Sequence, residues 1–171
     1  MLARFLGFAV FAALAATQLP ALVQAVLPQE EAASAASAAS VEPVSAAPGG
    51  TVQLRADTQG HYNGSFRFNG KTVPGLIDTG ATTVAINEST ARRLGFGANA
   101  LDFVYAVNTA NGQTQAARIV LDRVEIGSVR VRQVEAMVLR DAALSGTLVG
   151  MSFLKKLGSY RVEKGRLELR Q

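Results

Sequence analysis

The amino-acid sequence predicts an all-β domain, mostly strands with two short helices, over residues 51–171. In this region short apolar segments alternate with turn signals, which is the pattern of half-buried strands. Two Asn-Gly pairs, at positions 69–70 and 111–112, are the strongest short signals for hairpin turns. The region is long enough to bury one hydrophobic core, so a single domain is expected.

Residues 1–27 are predicted to be an export signal or an N-terminal membrane anchor. Arg4 precedes an apolar run from Phe5 to Ala16, and the later stretch "VQA" spaces small residues as a signal peptidase requires. An uncleaved segment of this length could instead span about 30 Å of hydrocarbon. Both alternatives place the domain in the periplasm or cell envelope, and they differ in whether it stays tethered to the membrane.

Residues 28–50 are almost entirely Ala, Ser, Pro and Glu. Such a segment has too few large apolar side chains to offset the entropy of ordering, so a disordered linker is predicted. Its length would let the domain stand away from a membrane or meet a second copy of itself.

The first predicted hairpin joins strands at residues 62–68 and 72–77. Pro74 cannot donate a backbone hydrogen bond, so the second strand should be bulged or edge-exposed there. After a further strand within "TTVAI", Asn87 can cap a helix from about Glu88 to Leu94, and Gly95 would end it.

The second half of the domain is predicted to contain further hairpins and one helix. Strands near 103–107 and 114–121 flank the second Asn-Gly turn, and a shift in apolar phase within "VRVRQVEAMVL" predicts a bulge near Arg132-Gln133. Gly150 leads into a helix of about two turns that ends at Gly158. The last hairpin is expected at Lys164-Gly165.

The composition excludes several chemistries. The chain has no Cys and one His, so disulfides, thiol nucleophiles and multi-histidine metal sites are excluded. His61 alone is interpreted as a structural or surface residue. The formal charge is +4, and its densest basic group alternates with Val and Ile without aromatic residues that could stack on bases. This group, Arg118, Arg123, Arg130 and Arg132, is predicted to be a solvated strand face, and no nucleic-acid partner is expected.

The stretch "LIDTGATTVAI" places one carboxylate, Asp78, between an apolar strand and a tight turn. Gly80 permits a close backbone approach, and the Thr79 hydroxyl can hold the turn by hydrogen bonding. An Asp-Thr-Gly triplet by itself is an ordinary turn sequence. Its surroundings carry more information.

"LIDTGAT", "TANGQTQAA" and the apolar-apolar-Gly of "LVGMSFLKKL" occur in the order found in one family. With these motifs, the chain resembles the retropepsin-like aspartic proteases from about Gly60 to Leu169. It is most similar to their bacterial exported or membrane-associated single-domain branch, whose motif is Asp-Thr-Gly-Ala.

The resemblance implies a retropepsin-like closed barrel, the acid-protease fold, without metal or cofactor. It implies that Asp78 is the catalytic aspartate and that Thr79 makes hydrogen bonds that lock two active-site loops together. Gly80 and Ala81 would complete the loop. By the same resemblance, "TANGQTQAA" forms a flap over the substrate, which would be contacted by Ala81, Ala110, Asn111 and Gly112.

Aspartic proteolysis needs two carboxylates that share one proton. No second motif exists in the chain, because "DTQG" at Asp57 has an inserted Gln and the other acids, Asp102, Asp122 and Asp141, lack the turn. The expected partner of Asp78 is its own copy in a twofold homodimer. The predicted function is an aspartic endopeptidase acting on proteins or peptides. The alternative is a non-catalytic dimerisation or peptide-binding module of the same fold.

Overall fold

The computed structural model describes residues 45–47, 50–109 and 112–171. The predicted signal or anchor, most of the linker, Ala110 and Asn111 lie outside the described residues, so those predictions stay predictions. In the described part of the chain, no helix is both long and apolar enough to cross a membrane. Ser45–Ala47, which fall within the predicted linker, form a short strand.

The described elements are eleven strands, two α-helices and a 3-10 turn at Ala98–Ala100. The strands are β1 (Ser45–Ala47), β2 (Thr51–Arg55), β3 (Tyr62–Phe68), β4 (Lys71–Ile77), β5 (Val84–Asn87), β6 (Tyr105–Thr109), β7 (Gly112–Ile126), β8 (Val129–Leu139), β9 (Leu148–Val149), β10 (Ser159–Glu163) and β11 (Arg166–Arg170). The helices are α1 (Glu88–Leu94) and α2 (Met151–Leu154).

Strands β3 to β9 form a closed barrel with an attached hairpin strand. The pairing order is β3-β4-β9-β5-β8-β7-β6, and an additional pairing between β3 and β7 closes the ring. Phe66, Phe68 and Phe153 are fully buried in the core. The predicted mostly-β closed barrel is therefore confirmed.

A second sheet carries both ends of the described domain. Its strand order is β1-β2-β11-β10, all antiparallel, so β11 lies between β2 and β10 of the same chain. Leu167 of β11 and Val52 of β2 are buried against the barrel core. In the described part of the chain, β10 pairs only with β11 and its other edge is open.

The predicted turn and helix-capping residues in the first half of the domain are confirmed. The first hairpin turns at Asn69, with a φ of 48°. The Asn87 side chain accepts from the N–H of Thr90 at 2.9 Å and caps α1, while Gly95 ends α1 with a φ of 105°. Strand β4 pairs with β3 in unbroken register through Pro74, so of the two predicted alternatives the exposed edge is correct and the bulge is wrong.

Two predictions in the second half need correction. The apolar phase does change in β8, and Gln133 has a φ of 53°. However, Leu121 pairs with Val134 and Arg123 with Arg132, so no residue is inserted and the predicted bulge is wrong. Both strands change phase together, which makes the feature a shared kink of the β7–β8 hairpin.

The second helix is also shorter than predicted. Helix α2 has one turn, and the chain continues to Gly158 in tight turns in which the N–H of Lys156 donates to the Phe153 carbonyl at 3.0 Å. Strand β6 begins at Tyr105, two positions later than expected, and β7 extends without a break to Ile126. The final hairpin turns at Lys164, as predicted.

Candidate active site

Asp78 lies in a tight loop between β4 and β5. Its N–H donates to the Val149 carbonyl at 3.1 Å, which fixes the start of the loop to β9. The N–H of Gly80 donates to Asp78 Oδ1 at 2.8 Å, and the N–H of Ala81 donates to the Asp78 carbonyl at 3.3 Å. The loop therefore orients one carboxylate oxygen, while the Asp78 side chain stays half-buried and reachable from solvent.

Gly150 lies beside Asp78 at the end of the neighbouring strand. Strands β4 and β9 are parallel and Ile77 pairs with Val149, so the residues that follow them are neighbours in space. A Cβ at Gly150 would lie 2.3 Å from the carbonyl oxygen of Thr83, far inside normal contact distance. Its φ of -97° is ordinary, so packing and not backbone conformation requires glycine here.

The Ser152 side chain braces the candidate loop. Its Oγ accepts from the N–H of Val84 at 2.9 Å and donates to the carbonyl of Glu135 at 2.7 Å. One hydroxyl thus connects α2, β5 and β8 next to the loop. Sequence reasoning did not single out Ser152, because a serine in a short helix has no distinctive pattern and only the tertiary contacts reveal its role.

An open cavity of about 370 Å³, called the cleft below, lies beside the Asp78 loop. Its lining comes from this loop, the end of β6, the end of β8 and the segment before β9. The larger apolar lining residues are Val107, Met137, Leu139, Leu144 and Leu148. Among the described residues that line the cleft, Asp78 is the only one with an ionisable side chain.

One wall of the cleft contains Ala143 and Leu144, and the residues just before them are fastened to the start of α1. Asp141 accepts from the N–H of Ser89 at 2.9 Å and from its Oγ at 2.6 Å. Arg140 donates to the Glu88 carboxylate at 3.0 Å. The hydrogen bond from the Ser89 hydroxyl is the main cause that lowers the pKa of Asp141. These contacts hold the wall while Asp141 is ionised.

On its other side, Asp78 borders a second hollow of about 290 Å³. Thr79, Tyr62 and Val162 also line this hollow. Thr79 is exposed, and within the described residues its side chain makes no hydrogen bond. The hydroxyl is therefore free to bond with a group outside this protomer.

The predicted site residues fall into three groups. Asp78, Gly80 and Ala81 line the cleft, whereas Thr79 lines the second hollow. Ala110 and Asn111 lie outside the described residues. Gly112 begins β7 with a φ of 103° but does not line the cleft. The hairpin residues that line the cleft are Val107, Asn108 and Thr109, of which only Thr109 lies within the predicted flap stretch.

The rejected second motif has a structural role. Asp57 accepts from the N–H groups of Gln59 and His61, both at 2.8 Å, and from Asn63 Nδ2 at 2.7 Å. The hydrogen bond from the His61 N–H is the main cause that lowers the pKa of Asp57. Asp57 thus organises its own loop, and the exposed His61 belongs to that loop, as predicted.

Comparisons with known proteins agree with this geometry. The family model described as "gag-polyprotein putative aspartyl protease" matches residues 65–156. A protein of Sinorhizobium sp, described as an uncharacterized protein in the cobV 5′ region, is 34% identical over 119 residues, which cover 70% of this chain and 51% of that protein. The chain spans about half the length of the curated relatives it matches.

Two solved structures share the fold. EIAV protease in complex with the inhibitor HBY-793 is 16% identical, with a TM-score of 0.52 over 64% of this chain and 100% of that chain, which shows likeness of fold alone. A retropepsin-like aspartic protease from Rickettsia conorii is 31% identical, with a TM-score of 0.62 over 70% of this chain and 89% of that chain. Because the family model covers more than half of the sequence and this relative matches over most of its length, the chain belongs to the retropepsin-like aspartic protease family.

Proposed function

We propose that the chain is an aspartic endopeptidase whose water is activated between two Asp78 carboxylates, one from each protomer of a homodimer. The observation that carries this proposal is the set of ionisable side chains that line the cleft. Within the described residues of its lining, Asp78 is the only acid, and the equivalent strand end beside it carries Gly150. A single protomer therefore supplies half of the pair of carboxylates that the reaction needs.

The chemistry of the pair follows from electrostatics. Two carboxylates about 3 Å apart cannot both ionise, so they share one proton and titrate as a unit. The ionised member takes a proton from the attacking water. The protonated member donates a hydrogen bond to the substrate carbonyl oxygen and stabilises the charge that develops on it. Activity at mildly acidic pH, where one proton is shared, is expected.

The substrate would lie in the cleft as an extended peptide. The β6–β7 hairpin and the end of β8 enclose the cleft from two sides, and backbone hydrogen bonds to such a strand provide affinity without sequence preference. The apolar side chains of Met137, Leu139 and Leu144 would favour an apolar substrate side chain beside the cut bond. Closure of the hairpin over the peptide would exclude bulk water.

The surface beside Asp78 supports the proposed dimer. The second hollow leads from Asp78 and Thr79 to Val162 on β10, whose residues are all exposed. Tyr160 and Val162 of this strand are 39% and 59% exposed, although both are large and apolar. An open strand edge with exposed apolar side chains is a template for pairing with another chain. A second copy at this surface would bring the two Asp78 loops together.

The direct test is the Asp78→Asn substitution, which keeps the shape of the side chain and removes its acid-base chemistry. We expect cleavage of an unfolded protein at mildly acidic pH to fall by about 10²- to 10⁴-fold or more, with the dimer unchanged. Asp122→Asn, an equal change at an exposed position on β7, should leave cleavage intact. Full activity of Asp78→Asn would overturn the mechanism. Inactivity of the unsubstituted chain with an intact dimer would favour the non-catalytic module.

Mixing tests whether the site is shared. If Asp78→Asn and unsubstituted protomers exchange freely, activity should fall as the square of the unsubstituted fraction, to about a quarter in an equal mixture. A linear fall, to about half, would mean that each chain has a complete site. The dimer's dissociation should also lower specific activity on dilution.

We also propose that the domain acts in the periplasm or cell envelope, exported or held by residues 1–27. Support comes from the apolar run and its basic start. In spheroplasts, protease added from outside should degrade the domain. Resistance that persists until the cells are lysed would contradict this location.

A further inference from the structure

The outer face of β3, β7 and β8 carries a cluster of basic side chains at the end of the barrel where the β7–β8 hairpin turns. Cross-strand pairing puts its members on one face, since Arg67 is opposite Glu125, Glu125 is opposite Arg130, and Arg123 is opposite Arg132. Lys156 adjoins Arg130 and Arg132 in a shallow surface depression. The cluster, called the basic face below, consists of Arg67, Arg123, Arg130, Arg132 and Lys156 around Glu125.

Glu125 is buried and holds three of these arginines in place. Its carboxylate oxygens lie 2.6 Å from Arg130 Nε, 3.2 Å from Arg123 Nε and 3.8 Å from Arg67 Nε. Burial by itself raises the pKa of Glu125, but the hydrogen bond from Arg130 and the surrounding positive charges outweigh burial, so the pKa is lowered. The glutamate is ionised and fixes the guanidinium groups as a preformed array.

One carboxylate cannot neutralise this array. Five cations against one anion leave a formal charge of +4 on this face. Residues 50–171 contain 16 basic and 10 acidic side chains, so the face carries four of the six excess positive charges of this part of the chain. Arg67 and Arg130 keep 61% and 57% of their side chains exposed, so the charge is accessible. Asp122, next to Arg123 in sequence, makes no ion pair within the described residues.

The basic face lies beside the start of β2. The carbonyl of Thr51 accepts from Ser128 Oγ at 3.0 Å, and the carbonyl of Gly50 accepts from the N–H of Gln171 at 2.9 Å. The Gln171 side chain in turn donates to the Arg130 carbonyl at 2.7 Å. The predicted linker joins the described strand at Ser45, which lies opposite Gln53, two positions along β2 from Thr51. A flexible segment as long as residues 28–44 has a reach of about 20–25 Å.

From this arrangement, and resting on the proposed anchoring by residues 1–27, we infer that the basic face docks the domain on anionic lipid headgroups of the anchoring membrane. A fixed array of cations within reach of the proposed tether fits a surface of lipid phosphates. Each basic residue near such a surface strengthens docking roughly fivefold, which corresponds to about 1 kcal/mol. The face has no aromatic side chain among its members that could stack on bases, so a nucleic acid is the less favoured partner.

Docking at this face determines where the cleft points. The Glu125–Arg130 pair and the Ala116–Leu139 pair, which lies beside the cleft, are nine positions apart along β7 and β8. At about 3.3 Å per residue, the path along the strands is roughly 30 Å. The docked domain would hold its cleft away from the lipid surface, open to peptides in the aqueous compartment.

The absence of Cys from the chain permits a clean test with single labels. Ser65 is exposed and lies two positions before Arg67 on the same face of β3, whereas Gln115 is exposed near the cleft end of β7. The full chain, with a donor dye at Ser65→Cys or Gln115→Cys, is inserted into vesicles that carry an acceptor-labelled lipid. One set of vesicles contains phosphatidylglycerol in phosphatidylcholine, and the other contains phosphatidylcholine alone.

We expect more energy transfer from the Ser65 label in the anionic vesicles than in the neutral ones. Transfer should fall to the neutral value in about 1 M salt, where the Debye length is about 3 Å. The Gln115 label should show little difference between the lipids. Equal energy transfer from the Ser65 label in both lipids would overturn the inference. This comparison requires no substitution of a residue of the basic face.

Two double variants with equal loss of charge separate the face from net charge. Arg67→Gln with Arg132→Gln leaves Arg123 and Arg130 on Glu125, and should lower the ratio of docked to undocked domain roughly 25-fold. The control, Lys164→Gln with Arg166→Gln, changes exposed residues at the tip of another hairpin and should leave docking unchanged. Equal losses of docking in both variants would overturn docking through this face. So would a face variant that loses salt-sensitive binding to duplex DNA but keeps its energy transfer from the lipid.

Discussion

The ends of β4 and β9 lie side by side in the barrel but carry different chemistry. Each strand delivers an apolar pair followed by a tight loop, and the parallel pairing of Ile77 with Val149 aligns the next residues. On β4 that residue is Asp78, whose carboxylate borders the cleft. On β9 it is Gly150, whose missing Cβ leaves room for the Thr83 carbonyl.

This difference is the structural basis for proposing a shared site. Any side chain at Gly150 would collide with backbone atoms of the Asp78 loop, so an aspartate there could not be accommodated without moving that loop. The β9 end therefore supports the loop from within the chain. In the proposed homodimer, the second carboxylate comes from the other protomer.

Among substitutions of residues that support the Asp78 loop, Gly150→Ala should have the largest effect. The added Cβ would lie 2.3 Å from Thr83 O and 2.5 Å from Ala81 O, so the loop must shift. We expect a loss of about 1–3 kcal/mol in the free energy of unfolding and a large fall in cleavage, measured by chemical denaturation and by assay. Gly146→Ala is the control, because a Cβ there meets nothing within 4 Å. Equal effects of the two substitutions would contradict the packing role of Gly150.

Ser152→Ala should have a smaller effect on cleavage than Gly150→Ala. It removes the acceptor of the N–H of Val84, a fully buried residue, and we expect a loss of about 1–3 kcal/mol in unfolding free energy. Cleavage should fall less than in Gly150→Ala, because the backbone contacts of the loop remain. Ser128 also donates to a backbone carbonyl but is exposed, so Ser128→Ala should cost no more than about 0.5 kcal/mol. If the two serine variants lose the same free energy of unfolding, the bracing role of Ser152 is contradicted.

Asp141→Asn should give the smallest effect, and that effect should depend on pH. The folded-state pKa of Asp141 is lowered by the Ser89 hydroxyl, so its contribution to stability is present above the unfolded value of about 3.9 and lost as pH falls through the folded value. We therefore expect a slight destabilisation of the variant at pH 6 that diminishes below about pH 4. Thermal unfolding of both proteins across this range measures it, and a difference that grows on acidification would contradict the assignment.

Sequence reasoning predicted the features that depend on neighbouring residues. The Asn69 turn, the Asn87 cap of α1 and the Gly95 stop follow from local backbone preferences, and all are confirmed. The bulge near Gln133 was wrong because an apolar phase change in one strand cannot show whether the partner strand changes with it. The length of α2 was overestimated because tertiary contacts, and not helix propensity, decide where a short helix ends.

In the candidate site, too, sequence reasoning found the residues that have a local signature and missed those that depend on tertiary contacts. The Asp-Thr-Gly turn after an apolar strand indicated Asp78, and the family resemblance gave it a predicted role. Thr109 lies within the predicted flap stretch, and Asp141 was set aside only as a catalytic acid. Ser152, Asn108 and the bonds of Asp141 to Ser89 were missed, because each depends on contact with a distant part of the chain. Such contacts have no signature in residue spacing.

By itself, the sequence determined that the chain offers one suitable carboxylate, no thiol and one histidine, since residue identities restrict chemistry regardless of fold. Only the tertiary structure decided that Gly150 stands beside Asp78 and that most of the excess positive charge gathers on one surface. Both depend on strand pairing between distant segments, and the free energy of such pairing comes from burial over the whole core.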